Sequence, residues 1–437
     1  MRSAERRPGL PVLDTAPRPG IDRSRDRRLT FGGLVVAGGF LAAALASLLL
    51  PESVRLGWWL PLHLALAGAA GTAIAAMLPF FVAALRVAPP APVTLHGSAI
   101  GLVALGAGLA AAGRASGATM PDPVAATGAA LYVGGAAATA LSAGLPLRHA
   151  VGPRRPATEA AYGLALLNVA IGASLASLYL AGTPAATAAW PQLRVAHAWL
   201  NAFGFVGLVV AGTLVHFAPT VAGARIRRRR SGDLAVAALA VGPVAVAGGF
   251  WAGSDLVARL GATTTVLGAA AIVVHAFHVR GDAAGWTTEA AWHRFTAGSL
   301  LAAPAWLLVA AAVAGLPVIV EGAQPAAWRL EPVLGPLVAG FVVQVLLGAL
   351  AHLVPAIGPG GAERHGRARR ILGRDATLRL AAWNVGTALV TVGLLTSPPI
   401  RLPAEVATAM LAAGAALLAT SLAAALVLLG LCLRDRG

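Results

Sequence analysis

Apolar residues along this chain fall in long blocks, and polar residues are confined to the breaks between them. Twelve such blocks cover residues 30–50, 58–85, 94–113, 123–144, 158–181, 193–219, 234–254, 257–279, 291–315, 331–355, 377–396 and 405–432. Each is close to the roughly 20 apolar residues that a membrane-spanning helix needs. Turn and charge signals mark the breaks: Pro51-Glu52, Pro89-Pro90, Pro121-Asp122-Pro123, Pro153 to Pro156, Gly281-Asp282 and Pro398-Pro399. Gly253-Ser254-Asp255 is a very short turn between segments seven and eight. The pattern predicts an all-α integral membrane protein of about twelve spans over residues 29–437. Residues 1–28, rich in Arg and Pro, read as a disordered cytoplasmic tail. Arg6-Arg7 is not followed promptly by an apolar run, so the first span is expected to stay uncleaved.

Composition strengthens this reading. The 437 residues are 58% hydrophobic and only 11% charged, where soluble domains carry about 25% charged residues. The formal charge is +16 and every cation is Arg. Such a charge invites a nucleic-acid partner, but the arginines fall in short loops between apolar runs. That is the positive-inside pattern of a membrane protein, and the expected partner is the lipid bilayer, with no nucleic acid. With the N-terminus in the cytoplasm, the inner side holds the tail arginines, Arg86, Arg148, Arg154, Arg155, Arg225, Arg227 to Arg230, Arg280, Arg364, Arg367, Arg369, Arg370, Arg374, Arg434 and Arg436. Only scattered single arginines, Arg55, Arg114, Arg194, Arg259, Arg329 and Arg401, remain outside. Both termini are then cytoplasmic, in the inner (plasma) membrane.

One repeat is legible. GFVGLVVAGTLVHFAP at 204–219 and GFVVQVLLGALAHLVP at 340–355 share eight of sixteen positions, among them Gly204/Gly340, Gly212/Gly348, His216/His352 and Pro219/Pro355. Segment two is a weaker copy, with Gly71-Thr72 and then Pro79. Segments two, six and ten are four apart, which predicts three four-helix units around a pseudo-threefold axis.

The candidate chemistry is histidine. No Asp or Glu lies deep in a span; Glu159, Asp255, Glu331 and Glu405 sit at ends. This argues against a proton pump, which needs a buried carboxylate relay. The single Cys432 excludes thiolate metal clusters. Near the outer face lie His63 and His197, the latter with Asn201 one turn on, on the same helical face. Near the inner face lie His96, His216, His275, His278, His293 and His352, of which His216, His352, His275 and His278 are candidate ligands of a second cluster. His197 and His216 are roughly 28 Å apart along one helix, so one metal cannot use both. Pro219 and Pro355 each free a carbonyl in the preceding turn, and bonding a nearby histidine to it is the structural alternative. His149 and His365 lie in arginine-rich inner loops. Imidazoles from facing helices, without thiolate or carboxylate, suit bis-histidine haem or copper better than hydrolytic zinc.

Twelve spans, the apparent four-helix repeat and histidines on segments two and six resemble heme-copper oxidase subunit I. In that family segment two carries a haem histidine and segment six a copper histidine, which His63 and His197 would match. The chain departs from the family in lacking the histidine pair after segment six, and in placing His352 at the inner end of segment ten. HLALAGAAGTAIAAMLPFFVAAL, HAWLNAFGFVGLVVAGTLVHFAPT and QVLLGALAHLVP are also similar to membrane proteins of the NnrS type, and to the membrane region attached to copper-oxidase or nitrite-reductase-like domains in actinobacteria. The resemblance implies haem or copper, electron transfer or nitric-oxide handling, and a peripheral copper or cytochrome redox partner. The alternatives are a facilitator lined by Asn168, Asn201, Gln344 and Asn384, or a structural anchor for a redox protein.

Overall fold

A backbone in lipid must satisfy its own N–H and C=O groups, so long apolar runs become helices. The structure, a computed structural model, describes residues 23–117, 119–283, 291–357, 362–395 and 402–434. Eleven helices are long and apolar enough to cross a membrane: α1 Ser24–Ser47, α2 Trp59–Leu85, α3 Val93–Ala115, α4 Pro123–His149, α5 Pro156–Leu180, α6 Trp190–Val221, α7 Arg230–Ala252, α8 Asp255–Asp282, α9 Arg294–Glu321, α10 Glu331–Pro355 and α12 Ala404–Cys432. Between the last two runs α11, Ala376–Leu394, whose apolar character is diluted by Arg379, Asn384 and three threonines. The chain is a multi-pass membrane protein of about twelve spans. Residues 24–28, expected in the tail, already belong to α1, while 1–22 lie outside the described residues.

The short turn between α7 and α8 has a specific geometry. Gly253 takes the left-handed conformation (φ 63°) that closes α7, and the Ser254 N–H returns to the Gly249 carbonyl at 2.8 Å. Ser254 then caps α8 with its hydroxyl. Close backbone approach holds the two helices along their length, as small residues do in membranes. A Cβ on Gly261 would reach the Val246 amide, 2.5 Å away. Between α3 and α4, Gly106 and Gly128 meet backbone to backbone in the same way.

Helices α2, α6 and α10 share a break in their hydrogen bonding. Each passes through a π-helical segment, Leu64–Ala70, Ala202–Gly207 and Gly335–Val343 respectively. The segment in α6 touches those of both α2 and α10. Each helix also carries a proline beyond the break: Pro79, Pro219 and Pro355. In α6 and α10 the π-segment ends, and the α-helix resumes, in the register of the sequence repeat.

The aligned glycines acquire a reason. On Gly204 and Gly340 lie Asn168 of α5 and Trp306 of α9, and on Gly212 and Gly348 lie Ala161 of α5 and Ser299 of α9. The same contact occurs in the first unit, where Phe40 of α1 covers Gly68 and Gly33 packs on Ala76. In all three, contact residues are seven apart on the outer helix and eight apart on the inner. Segment two is thus aligned by Gly68 and Ala76 rather than by Gly71 and Pro79. Helix α6 is the centre of the molecule: 72% of its apolar stretch is buried, against 22% for α1 and α12.

Candidate metal centre

His63 ends the first helical turns of α2, and the π-segment begins at the next residue. His197 occupies the same end of α6, before its own π-segment. The two imidazoles come together, with ring centres 6.2 Å apart and planes within 9° of parallel. Both rings are held from behind. His63 Nδ1 is 2.8 Å from the Trp59 carbonyl, and the Trp59 indole stacks on the ring at 4.0 Å. His197 Nδ1 is 2.8 Å from the Gly172 carbonyl of α5. A carbonyl oxygen only accepts, so both Nδ1 atoms carry the proton and each Nε2 keeps its lone pair. Asn201 lies 3.2 Å from His197 Nδ1, but its amide donates instead to the His197 carbonyl at 2.7 Å. Asn201 also covers Gly172, where a Cβ would strike the amide. Gly172, Asn201 and His197 therefore interlock.

This donor set fits a metal. Ligating histidines characteristically donate the other ring nitrogen to a carbonyl or carboxylate, which fixes tautomer and orientation. A metal bonded to one nitrogen of each ring, at about 2.0–2.1 Å per bond, places facing ring centres roughly 6 Å apart. Sequence reasoning found the two histidines by depth. It missed Trp59 and Gly172, because one contributes a carbonyl and the other has no side chain.

The histidines at the other face, where α1 begins, are dispersed among different tasks. His275 Nε2 lies 3.3 Å from the Val215 carbonyl, in the turn that Pro219 disrupts. The proline does free a carbonyl, and the histidine near it comes from α8. His275 and His278 both approach the Ser231 hydroxyl at 3.4 Å. His216 is buried, and its Nδ1 makes no hydrogen bond. His352 packs edge-on against Phe217, with centroids 5.9 Å apart. Among the described residues no three His, Cys, Asp or Glu side chains group closely enough for a metal ion. The His293 side chain lies outside the described residues.

His96 was expected near the inner face, with no role assigned to it. It is fully buried between α1 and α2, with Nδ1 2.8 Å from Asp26 Oδ1 and Nε2 3.0 Å from the Ala76 carbonyl, just before Pro79. Asp26 had been placed in the tail, so nothing in the sequence suggested its pairing.

The expected lining residues of a facilitator are occupied by the protein itself. Asn168 donates to the Gly204 carbonyl at 2.9 Å and Asn384 to the Leu380 carbonyl at 2.8 Å. Asn384 Oδ1 accepts from Trp306 Nε1 at 2.7 Å and from Gln344 Nε2 at 3.4 Å.

No protein-family model matches the chain, and no curated protein matches it. Among solved structures it is similar to a heme-copper terminal oxidase, determined by cryo-EM as a dimer, with a TM-score of 0.63 and 14% sequence identity. The alignment covers 94% of this chain and 85% of the other. The chain therefore has a membrane fold like that of a heme-copper oxidase.

Proposed function

We propose that this chain is a membrane redox protein in which His63 and His197 hold one haem iron or copper, in an electron-transfer or nitric-oxide-handling role. One observation carries the reading: two near-parallel imidazoles from α2 and α6, both held by carbonyls in the tautomer that leaves Nε2 free to ligate, lie with ring centres 6.2 Å apart. When bound, such a metal supplies single-electron chemistry. The protein's part is to orient the rings: Trp59 and Gly172 fix them, and Asn201 holds the backbone turn on which His197 sits. Likeness of the fold to that of a heme-copper terminal oxidase supports the same class. A facilitator is less well supported, because Asn168, Asn201 and Asn384 spend their amides on backbone carbonyls.

The test is metal content. Purified protein should show haem absorption in a reduced-minus-oxidised spectrum, or copper near one atom per chain by elemental analysis. His63→Ala and His197→Ala should each abolish it. A protein with neither cofactor, or one whose metal survives both substitutions, overturns the proposal.

A further inference from the structure

The third unit contains a small cavity unrelated to the histidines. It lies between α9, α10, α11 and α12, and is lined by Phe295, Ser299, Gln344, Arg379, Trp383 and Ser421 among others. Its volume is about 10 Å³, space for a single water centre. Three of its polar atoms, Ser299 Oγ, Gln344 Oε1 and Arg379 Nε, make no hydrogen bond to protein. All three residues are buried, at 1%, 1% and 7% exposure. A buried polar group without a partner is costly, so three around one void call for a common ligand.

Hydrogen-bond polarity selects that ligand. Asn384 commits its N–H to the Leu380 carbonyl, so it presents Oδ1 to both Trp306 and Gln344. Gln344 must answer with its N–H groups, and its carbonyl Oε1 then faces the cavity. Whatever sits there has to donate to Gln344. Arg379 adds a donor, Nε–H, so the ligand must also accept. A halide or other simple anion fails the first condition.

The charge of Arg379 does not demand an anion either. Its Nη1 donates to the Leu372 carbonyl at 3.0 Å and to the Arg374 carbonyl at 3.3 Å. Leu372 ends a surface helix, Ala362–Leu372, where the helix dipole is negative. The guanidinium also lies 4.1 Å from the centre of the Phe295 ring. Of its buried nitrogens, Nε–H is the one left without a hydrogen-bond partner, and a neutral acceptor satisfies it.

We propose that this cavity is a binding site for one internal water molecule, which accepts from Arg379 Nε, donates to Gln344 Oε1 and shares a hydrogen bond with Ser299 Oγ. Three bonds is the usual complement of a buried water. The water completes a continuous polar path, Arg379–water–Gln344–Asn384–Trp306, leading inward from the face where α1 begins. Ser299 and Trp306 occupy the positions taken by Ala161 and Asn168 in the second unit. The equivalent of the cavity-lining Ser299 hydroxyl there is a methyl group.

The test uses the full chain in lipid nanodiscs with chloride replaced by bromide. High-resolution cryo-EM should show one density peak within hydrogen-bond reach of all three atoms, unchanged by the exchange. Ser299→Ala and Gln344→Leu should each remove the peak and lower the thermal midpoint, and their combined shift should be smaller than the sum, because both lose the same water. A peak that strengthens in bromide would show an anion site and overturn the proposal. Absence of a peak in the unsubstituted protein overturns it too, even where a variant fails to fold.

Discussion

His275 supplies to α6 a donor that the helix lacks, and His96 ties α3 to both α1 and α2. A proline in a helix removes one donor and strains the turn before it, leaving a carbonyl short of a partner. Pro219 leaves the Val215 carbonyl without its helical donor, and His275 reaches it from α8; His96 of α3 reaches the Ala76 carbonyl, which the Thr30 hydroxyl of α1 also approaches. His275→Leu should therefore destabilise the protein by about 1–3 kcal/mol, the cost of an orphaned buried acceptor. His278→Leu, which gives up a long contact to the Ser231 hydroxyl, should be close to neutral. Chemical denaturation in detergent checks both, and metal content should not change in either variant. His96→Leu should cost more, about 3–5 kcal/mol, because it also strands the Asp26 carboxylate in a buried site. Sequence alone placed His275 correctly on α8 but could not separate a ligand from a carbonyl partner, since that depends on which neighbour the ring meets.

At the scale of helices, the spans were legible because the solvent enforces them: a run of apolar residues between charged breaks has one solution in lipid. All twelve predicted segments coincide with helices to within a few residues at most ends. The π-segments were not legible, because no residue type marks the wider turn. What the sequence did show was their shadow, the glycines that accept the neighbouring helix. Gly128 offers a test of such a contact. Gly128→Leu should drive α3 and α4 apart, because its Cβ would collide with the Ala110 amide, and should cost about 1–3 kcal/mol or more. Gly134→Leu, on the same helix with nothing near its Cβ, should leave thermal stability unchanged.

Over the whole molecule, polar ties join the units at the helix ends. One is Arg86 at the end of α2, which donates to Glu159 of α5 at 2.6 Å, while the same carboxylate oxygen accepts the Arg155 amide at 2.8 Å. Arginine clusters on the face that carries these residues, and that face should be cytoplasmic. In a Cys432→Ser background, Arg228→Cys should react with an impermeant thiol reagent only from the cytoplasmic side and Glu52→Cys only from the other. The reverse labelling would invert the topology and move the His63–His197 pair to the cytoplasmic face.

The depth at which α6 is buried also bears on how the protein is made. Helices leave the ribosome in order, and α6 enters the bilayer with lipid on sides that protein will later cover. His197 finds its Gly172 partner at once, because α5 has already been inserted. The Val215 carbonyl must wait for His275, two spans later. A nascent chain arrested after α6 therefore has the His197 ring anchored while the Val215 carbonyl still lacks its partner. The interval before α8 arrives is when chaperones or quality-control proteases would encounter it.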